Sequence, residues 1–377
     1  AETRRRFQAL YSMSNLVSYE PYVDQCATLL QKRFRERSEG EQEIDLGHWL
    51  QCYAFDVIGE ITYSKRFGFL DEGEDKLGLM AALESVFAYS TLVGIYAWAH
   101  PYLFPVLEKL SIGGAAARGF FMKFVGESVD ERRRERKTKA EADGRTDFIN
   151  KLLDQNEENP EKVTMYHVFI MGLSNVMAGS DTTAISLAAI MYYAIRTPRV
   201  LEKLRKEVDE QLPDAEFEKG QPLNFRETRD MPYLQAVMKE AMRMHAATGL
   251  PLWREVPIGG MNIGGHFFPA GSFIGLNTWC AHYNEDVFGT DSMEFRPERW
   301  LEADEATLKR MNSYYLPFGL GSRTCIGRHI SELEMSKLIP LLVKEFDFEL
   351  TRGDWKTNNH WFVKPKDFWV RISKRTM

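Results

Sequence analysis

Apolar residues recur at helical spacing along most of this chain, and Pro, Gly, Asn and charged residues mark the breaks between the runs. Leu50 to Phe67 is apolar at that spacing and predicts a core helix. The longest run, Val163 to Ile195, holds a single formally charged residue, Asp181; it opens at Thr164 as N-cap and closes before Thr197-Pro198. At about 1.5 Å per residue it predicts a helix of roughly 50 Å, apolar all round and therefore buried. Pro198 then begins an amphipathic helix through VLEKLRKEVDEQL, and Met231 to Ala246 and Ile326 to Phe346 predict two more. In GGMNIGGHFFPAGSFIGLNTW, apolar residues alternate with turn formers and predict small hairpins; WKTNNHWFVKPKDFWVRI predicts a closing strand pair. The expectation is a mainly α fold with a minor β-sheet, one domain over residues 1–377, because no linker interrupts the pattern.

Composition narrows this picture without redirecting it. The chain has 377 residues and sets 48 Lys+Arg against 54 Asp+Glu, a net charge of −6 that gives no reason to expect a nucleic-acid partner. Ser85 to Leu107 carries no acidic or basic residue apart from His100, but Gly94, Pro101 and Pro105 interrupt it. It predicts an apolar helix pair over a pocket rather than a membrane span. Asp130 to Arg145 concentrates Arg132, Arg133, Arg134, Arg136, Lys137 and Lys139, the pattern of a solvated helix end and loop; electrostatic contact with a partner protein or anionic lipid is the alternative. The opening AETRRRF shows no basic leader followed by an apolar core. Cys26, Cys52, Cys280 and Cys325 are scattered with no C-x-x-C pair, which predicts neither a disulfide framework nor a zinc site.

Candidate chemistry gathers in two stretches. LPFGLGSRTCIGRHI, Leu316 to Ile330, places Cys325 in a glycine-rich loop just before a helix. A lone cysteine is commonly an inert small hydrophobe. At a helix N-terminus, however, unpaired N–H groups and the macrodipole favour a thiolate that can bind a metal. Gly319, Gly321 and Gly327 would let a flat partner lie close to the backbone, and Arg323 could pair with a carboxylate on it. The second stretch is Ala178-Gly179-Ser180-Asp181-Thr182-Thr183. A carboxylate there is costly unless it has a partner or a task. Ala178 and Gly179 leave room, and Thr182 can bond back to the carbonyl of Ala178 and open a groove in the helix. Glu240 and Arg243, three apart, share a helix face.

Phe318 to Gly327 matches F-x-x-G-x-R-x-C-x-G, the haem-binding signature of the cytochrome P450 family, and Ala178 to Thr183 matches that family's A-G-x-[DE]-T-[TS] motif. MEFRPERW resembles its P-E-R-F segment, with Trp300 in place of phenylalanine. The resemblance implies Cys325 as the thiolate ligand of the iron of haem b. It implies Arg323, Arg254 in PLWREVP and Arg4 as partners of the haem carboxylates, Phe318, Gly319 and Ala178 as further cofactor contacts, and Asp181 with Thr182 as the proton relay. Arg299 would join Glu240 and Arg243 in a buried structural cluster. Ser174 to Val176, Ala247 to Leu250 and Asn358 to Trp361 would face substrate.

The implied activity is monooxygenation of an apolar small organic molecule by O2. Electrons would come from a separate NADPH-cytochrome P450 reductase, since the sequence carries no flavin or nicotinamide fingerprint. The wording of the motifs is most similar to fungal secondary-metabolism members such as the pisatin demethylase group. It implies a membrane surface on the cytoplasmic face of the endoplasmic reticulum. Arg4 aligns near the end of the family's third helix, so the anchor, the N-terminal sheet and the lid between the second and third helices are expected to lie outside this chain. Two alternatives share the motifs: a same-fold isomerase or dehydratase that needs no reductase, and a haem-binding remnant without turnover.

Overall fold

The computed structural model describes residues 2–138, 147–217 and 223–376. Its longer helices are α1 (Glu20–Ser38), α2 (Leu46–Tyr63), α3 (Leu79–Ile95), α4 (His100–Leu110), α5 (Gly113–Thr138), α6 (Phe148–Glu158), α7 (Met165–Arg196), α8 (Pro198–Gln211), α9 (Pro232–Met244) and α10 (Arg328–Glu345). The predicted helical architecture is therefore present, with ends displaced by a few residues.

The central helix, α7, runs for 32 residues. Thr164 is extended at its N-terminus, and its N–H donates to Nδ1 of His167 at 3.1 Å; Thr197 stops the helix before Pro198. The helix is assigned without a break from Ala178 to Thr183. Nor is α7 buried all round: Ser174 and Ala178 are exposed and Thr182 half-buried, a strip at four-residue spacing.

The opposite face of α7 packs antiparallel on α2 through small residues. A Cβ at Gly172 would lie 2.6 Å from the Tyr63 hydroxyl, and one at Gly179 would lie 2.6 Å from Cδ1 of Ile58. Between them, the Asn175 amide donates to Thr62 Oγ1 at 3.0 Å. Gly179 thus serves the approach of two helices, and the room it leaves is taken by Ile58.

The strands are β1 (Glu43–Asp45), β2 (Leu252–Glu255), β3 (Met261–Ile263), β4 (His266–Phe268), β5 (Phe273–Leu276), β6 (Phe346–Leu350), β7 (Lys356–His360), β8 (Phe362–Lys366) and β9 (Trp369–Lys374). β2–β5, β3–β4 and β7–β8 form antiparallel pairs, and β9 lies between β1 and β6 in a three-stranded antiparallel sheet. The tail therefore supplies a hairpin and one further strand. Leu30 and Phe34 of α1, Leu50 of α2, Ile339 of α10, and Phe346 and Ile372 are fully buried together in the main core. Each such side chain contributes about 1.5–3 kcal/mol by leaving water.

The apolar stretch after Ser85 forms α3 and α4, a helix pair as expected, bent by 109°. Among the described residues no single helix is long and apolar enough to cross a membrane. The basic run ends α5, but Arg132 is not solvated. Its Nε donates to Asp147 Oδ2 at 2.9 Å inside the protein, because the buried Asp147 carboxylate needs a cation. Residues 139–146 of that run lie outside the described residues.

Candidate active site

The loop from Leu316 to Gly327 closes on itself through the Cys325 N–H, which donates to the carbonyl of Phe318 at 2.7 Å. Gly319 and Gly321 take φ of +69° and +65°, the left-handed region where a side chain would be strained. Gly327, at φ −84°, needs no such freedom. The loop delivers Cys325 just before α10, where the N–H groups of Gly327 and Arg328 reach its sulfur. The Arg4 guanidinium donates to the carbonyl of Thr324 beside it.

Burial pushes the Cys325 thiol above its ordinary pKa, while the Gly327 and Arg328 amides and the charges of Arg4 and Arg328 pull it back. The Gly327 and Arg328 amides that would stabilise S⁻ are aimed at the sulfur from the start of the helix.

A cavity of about 260 Å³ separates this loop from α7. Phe318, Gly319, Arg323 and Cys325 form one side and Ala178, Thr182 and Ser186 the other; Leu252 and Phe362 add apolar walls from β2 and β8. The exposed strip of α7 is thus the side that faces the cysteine. Thr182 Oγ1 donates to the Ala178 carbonyl at 2.8 Å, as its position predicts.

Asp181 points elsewhere. It is buried against α2 and accepts from the Gln51 amide, with Lys364 Nζ at 3.7 Å. Burial raises its pKa above the usual carboxylate range, Lys364 and Gln51 oppose that rise, and Glu84 adds to it. A second cavity of about 390 Å³, with Gln51, Glu84, Asp181 and Lys364 among its walls, opens on this side.

Most of the anticipated cofactor residues converge. Arg323, Phe318, Gly319, Ala178, Thr182 and Cys325 meet at one cavity, and Arg4 reaches the residue next to Cys325. Arg254 lies two residues beyond Leu252 and so on the same face of β2, with its guanidinium donating to the Trp253 carbonyl at 2.8 Å. Of the segments expected to face substrate, Ala247 and Thr248 line the cavity. Asn175 and Val176 are buried instead, Asn175 between the Tyr11 hydroxyl and Thr62. Asn358 reaches Glu84 at 3.5 Å, away from the cysteine cavity. Gln51, Phe362 and Lys364 went unnoticed in the sequence.

Glu240 gathers the expected cluster. Arg243 donates to it from Nε and Nη2, both at 2.9 Å, and Arg299 from Nε at 2.8 Å. Trp300 adds Nε1–H at 2.9 Å, a bond that phenylalanine could not make. A further residue, His282, ties this cluster to the loop: Nδ1 bonds the Arg243 carbonyl and Nε2 accepts the Leu316 N–H, each at 2.8 Å. Burial lowers its pKa from 6.5 to about 4, so the ring is neutral, as donation from one nitrogen and acceptance at the other requires.

The family model "Cytochrome P450" matches residues 1–368. The chain belongs to the cytochrome P450 family. Pisatin demethylase of Fusarium vanettenii is 38% identical to this P450 over 96% of the chain and 70% of that protein. A cytochrome P450 monooxygenase of Aspergillus terreus is 36% identical over 91% of the chain and 70% of that protein. A crystal structure of a cytochrome P450 superposes with a TM-score of 0.81 at 22% identity, covering 98% of this chain and 77% of that one, and shows the shared fold.

Haem bound through a cysteine thiolate is what the family implies, and the residues of this P450 fit it. The sulfur opens into the cavity with amide donors behind it, Gly319 presents no side chain, Arg323 supplies a cation at the wall, and the facing helix offers small residues.

Proposed function

We propose that this P450 is a monooxygenase of fungal secondary metabolism that inserts one atom of O2 into an apolar small organic substrate, by hydroxylation or demethylation. Electrons would reach it from NADPH-cytochrome P450 reductase. The observation that carries the reading is the meeting of Cys325 and Thr182 across one cavity, from a loop and a helix far apart in sequence.

In this reading Cys325 would hold haem b, with Arg323, Arg4 and Arg254 as partners of its carboxylates and Phe318, Gly319 and Ala178 as further contacts. When bound, thiolate-ligated haem supplies the activation of O2. The chain contributes position and protons. Leu252, Met242 and Phe362 make apolar walls that suit an apolar substrate. The Thr182 hydroxyl, fixed on the Ala178 carbonyl, is the last group able to hand a proton into the cavity. Asp181, next to it and bordering the second cavity, is the acid that replenishes that proton.

Similarity to pisatin demethylase and to fungal monooxygenases supports the substrate class. Around α3 and α4, Trp98 and Tyr102 are 74% and 77% exposed, with Leu92, Val106 and Leu110 alongside. That apolar face suits a membrane surface, and the proposed location is the cytoplasmic face of the endoplasmic reticulum.

The experiment is turnover under ¹⁸O2 with NADPH and the reductase, on a substrate found by haem spectral shift. One labelled oxygen is expected in a hydroxylated product or, for demethylation, in the one-carbon fragment released, trapped before it exchanges with water. Product formed without reductase, or label in neither place, would contradict monooxygenation.

A further inference from the structure

A third cavity, of about 250 Å³, shares no wall residue with the cysteine cavity or with the one beside Asp181. Local sequence builds it. α2 ends at Ser64, whose φ of +55° turns the chain sharply, and Lys65 to Phe67 then fold back over α2. Glycine permits that return at position 59, where a Cβ would lie 2.6 Å from the Lys65 carbonyl oxygen and 3.4 Å from the Phe67 ring. Opposite, α5 presents Phe124, Glu127, Ser128, Glu131 and Glu135 at three- and four-residue spacing, one face of a helix.

The apolar wall is aromatic. Phe67 and Phe124, both half-buried, meet edge to face at 5.3 Å and 73°, and Tyr63 lies 6.1 Å from Phe67. A cavity of about 150 Å³ is enough for benzene, so this one has room for a ring with a short substituent. The rim is charged, and its cations are committed. Lys65 Nζ meets Glu131 at 2.8 Å, Arg66 pairs with Asp71 and Asp56 at 3.0 and 3.3 Å, and Arg132 with the buried Asp147. Glu127 is held far more loosely: Lys123 reaches it at 3.9 Å, and both side chains are mostly in water. An exposed pair of that kind is worth little. With these partners included, carboxylates outnumber cations around the cavity, and aromatic rings stand beside them. That combination attracts a cation that carries a ring.

We propose that this cavity is a second ligand site, and that it takes a protonated arylalkylamine. The ring packs on Phe67 and Phe124, and the ammonium pairs with Glu127 at the rim, joining the end of α2 to α5. The inference does not depend on the monooxygenase reading.

The test is ¹⁹F NMR on the holoenzyme, with the cysteine cavity first saturated by 4-phenylimidazole. The probe is 2-(4-fluorophenyl)ethylammonium, and its neutral counterpart is 2-(4-fluorophenyl)ethanol. Saturable binding is expected, with the ammonium about two- to five-fold tighter than the alcohol. Glu127→Gln, at an exposed position, is expected to erase that preference and leave the alcohol unchanged. Phe124→Leu is expected to weaken both by about two- to ten-fold. Broadening that never saturates, an alcohol bound as tightly as the ammonium, a preference retained in Glu127→Gln, or affinities unmoved in Phe124→Leu overturns the proposal.

Discussion

Glu240 and Asp181 are both buried carboxylates on helices, and their surroundings differ in kind. Glu240 receives two guanidinium groups, the indole N–H of Trp300 and the Arg296 N–H at 3.2 Å, and is packed on every side. Asp181 has one amide donor, an ammonium at 3.7 Å, and a cavity beside it. The first arrangement fixes a charge and leaves nothing for chemistry. The second leaves a carboxyl whose protonation can change, which is what a proton carrier needs.

The largest expected effect separates the two directly. Glu240→Gln leaves buried guanidinium groups uncompensated and should cost about 3–5 kcal/mol, whereas Asp181→Asn should change stability by about 1 kcal/mol or less. Equal losses in thermal or denaturant melts would break the comparison. Next is Gly179→Ala, two residues from Asp181, whose added methyl meets Ile58. A loss of about 1–3 kcal/mol is expected, recovered in the double variant with Ile58→Val. A Gly179→Ala protein as stable as wild type would remove close packing as the reason for this glycine.

Trp300→Phe should cost about 1.5–3 kcal/mol by deleting one donor to Glu240, with α9 and the loop otherwise intact. The mildest test concerns His282. Its folded pKa, about 4, lies below the ordinary 6.5, so its contribution is complete above about pH 6.5 and is lost as pH falls toward 4. Ring NMR signals should hold the neutral position down to that range, and titration near 6.5 would mean that the His282 link to Leu316 is not formed.

Much of the site was legible because its determinants are local. The bond from Thr182 to Ala178 needs only a hydroxyl four residues on in a helix, and the cysteine loop needs glycines at left-handed positions within a dozen residues. What escaped depends on residues brought from far away. Gln51 and Lys364 stand 130 and 183 positions from Asp181, and no spacing rule links them. His282 meets Leu316 and Arg243 only after folding. Gly179 and Arg132 were visible, but what each does is decided by Ile58 and Asp147, which the sequence did not place beside them. The mainly helical fold followed from periodicity, while the strip of α7 left open toward the loop required knowing which helix face the loop meets.

The central claim is that Cys325, facing Thr182 across the cavity, holds a haem through its sulfur. The most direct measurement is the carbon monoxide difference spectrum of the reduced, purified protein beside Cys325→Ala. The account predicts a strongly red-shifted Soret band in the wild type and its loss in the variant. An ordinary haem band in the wild type, or an unchanged red-shifted band in the variant, would contradict it.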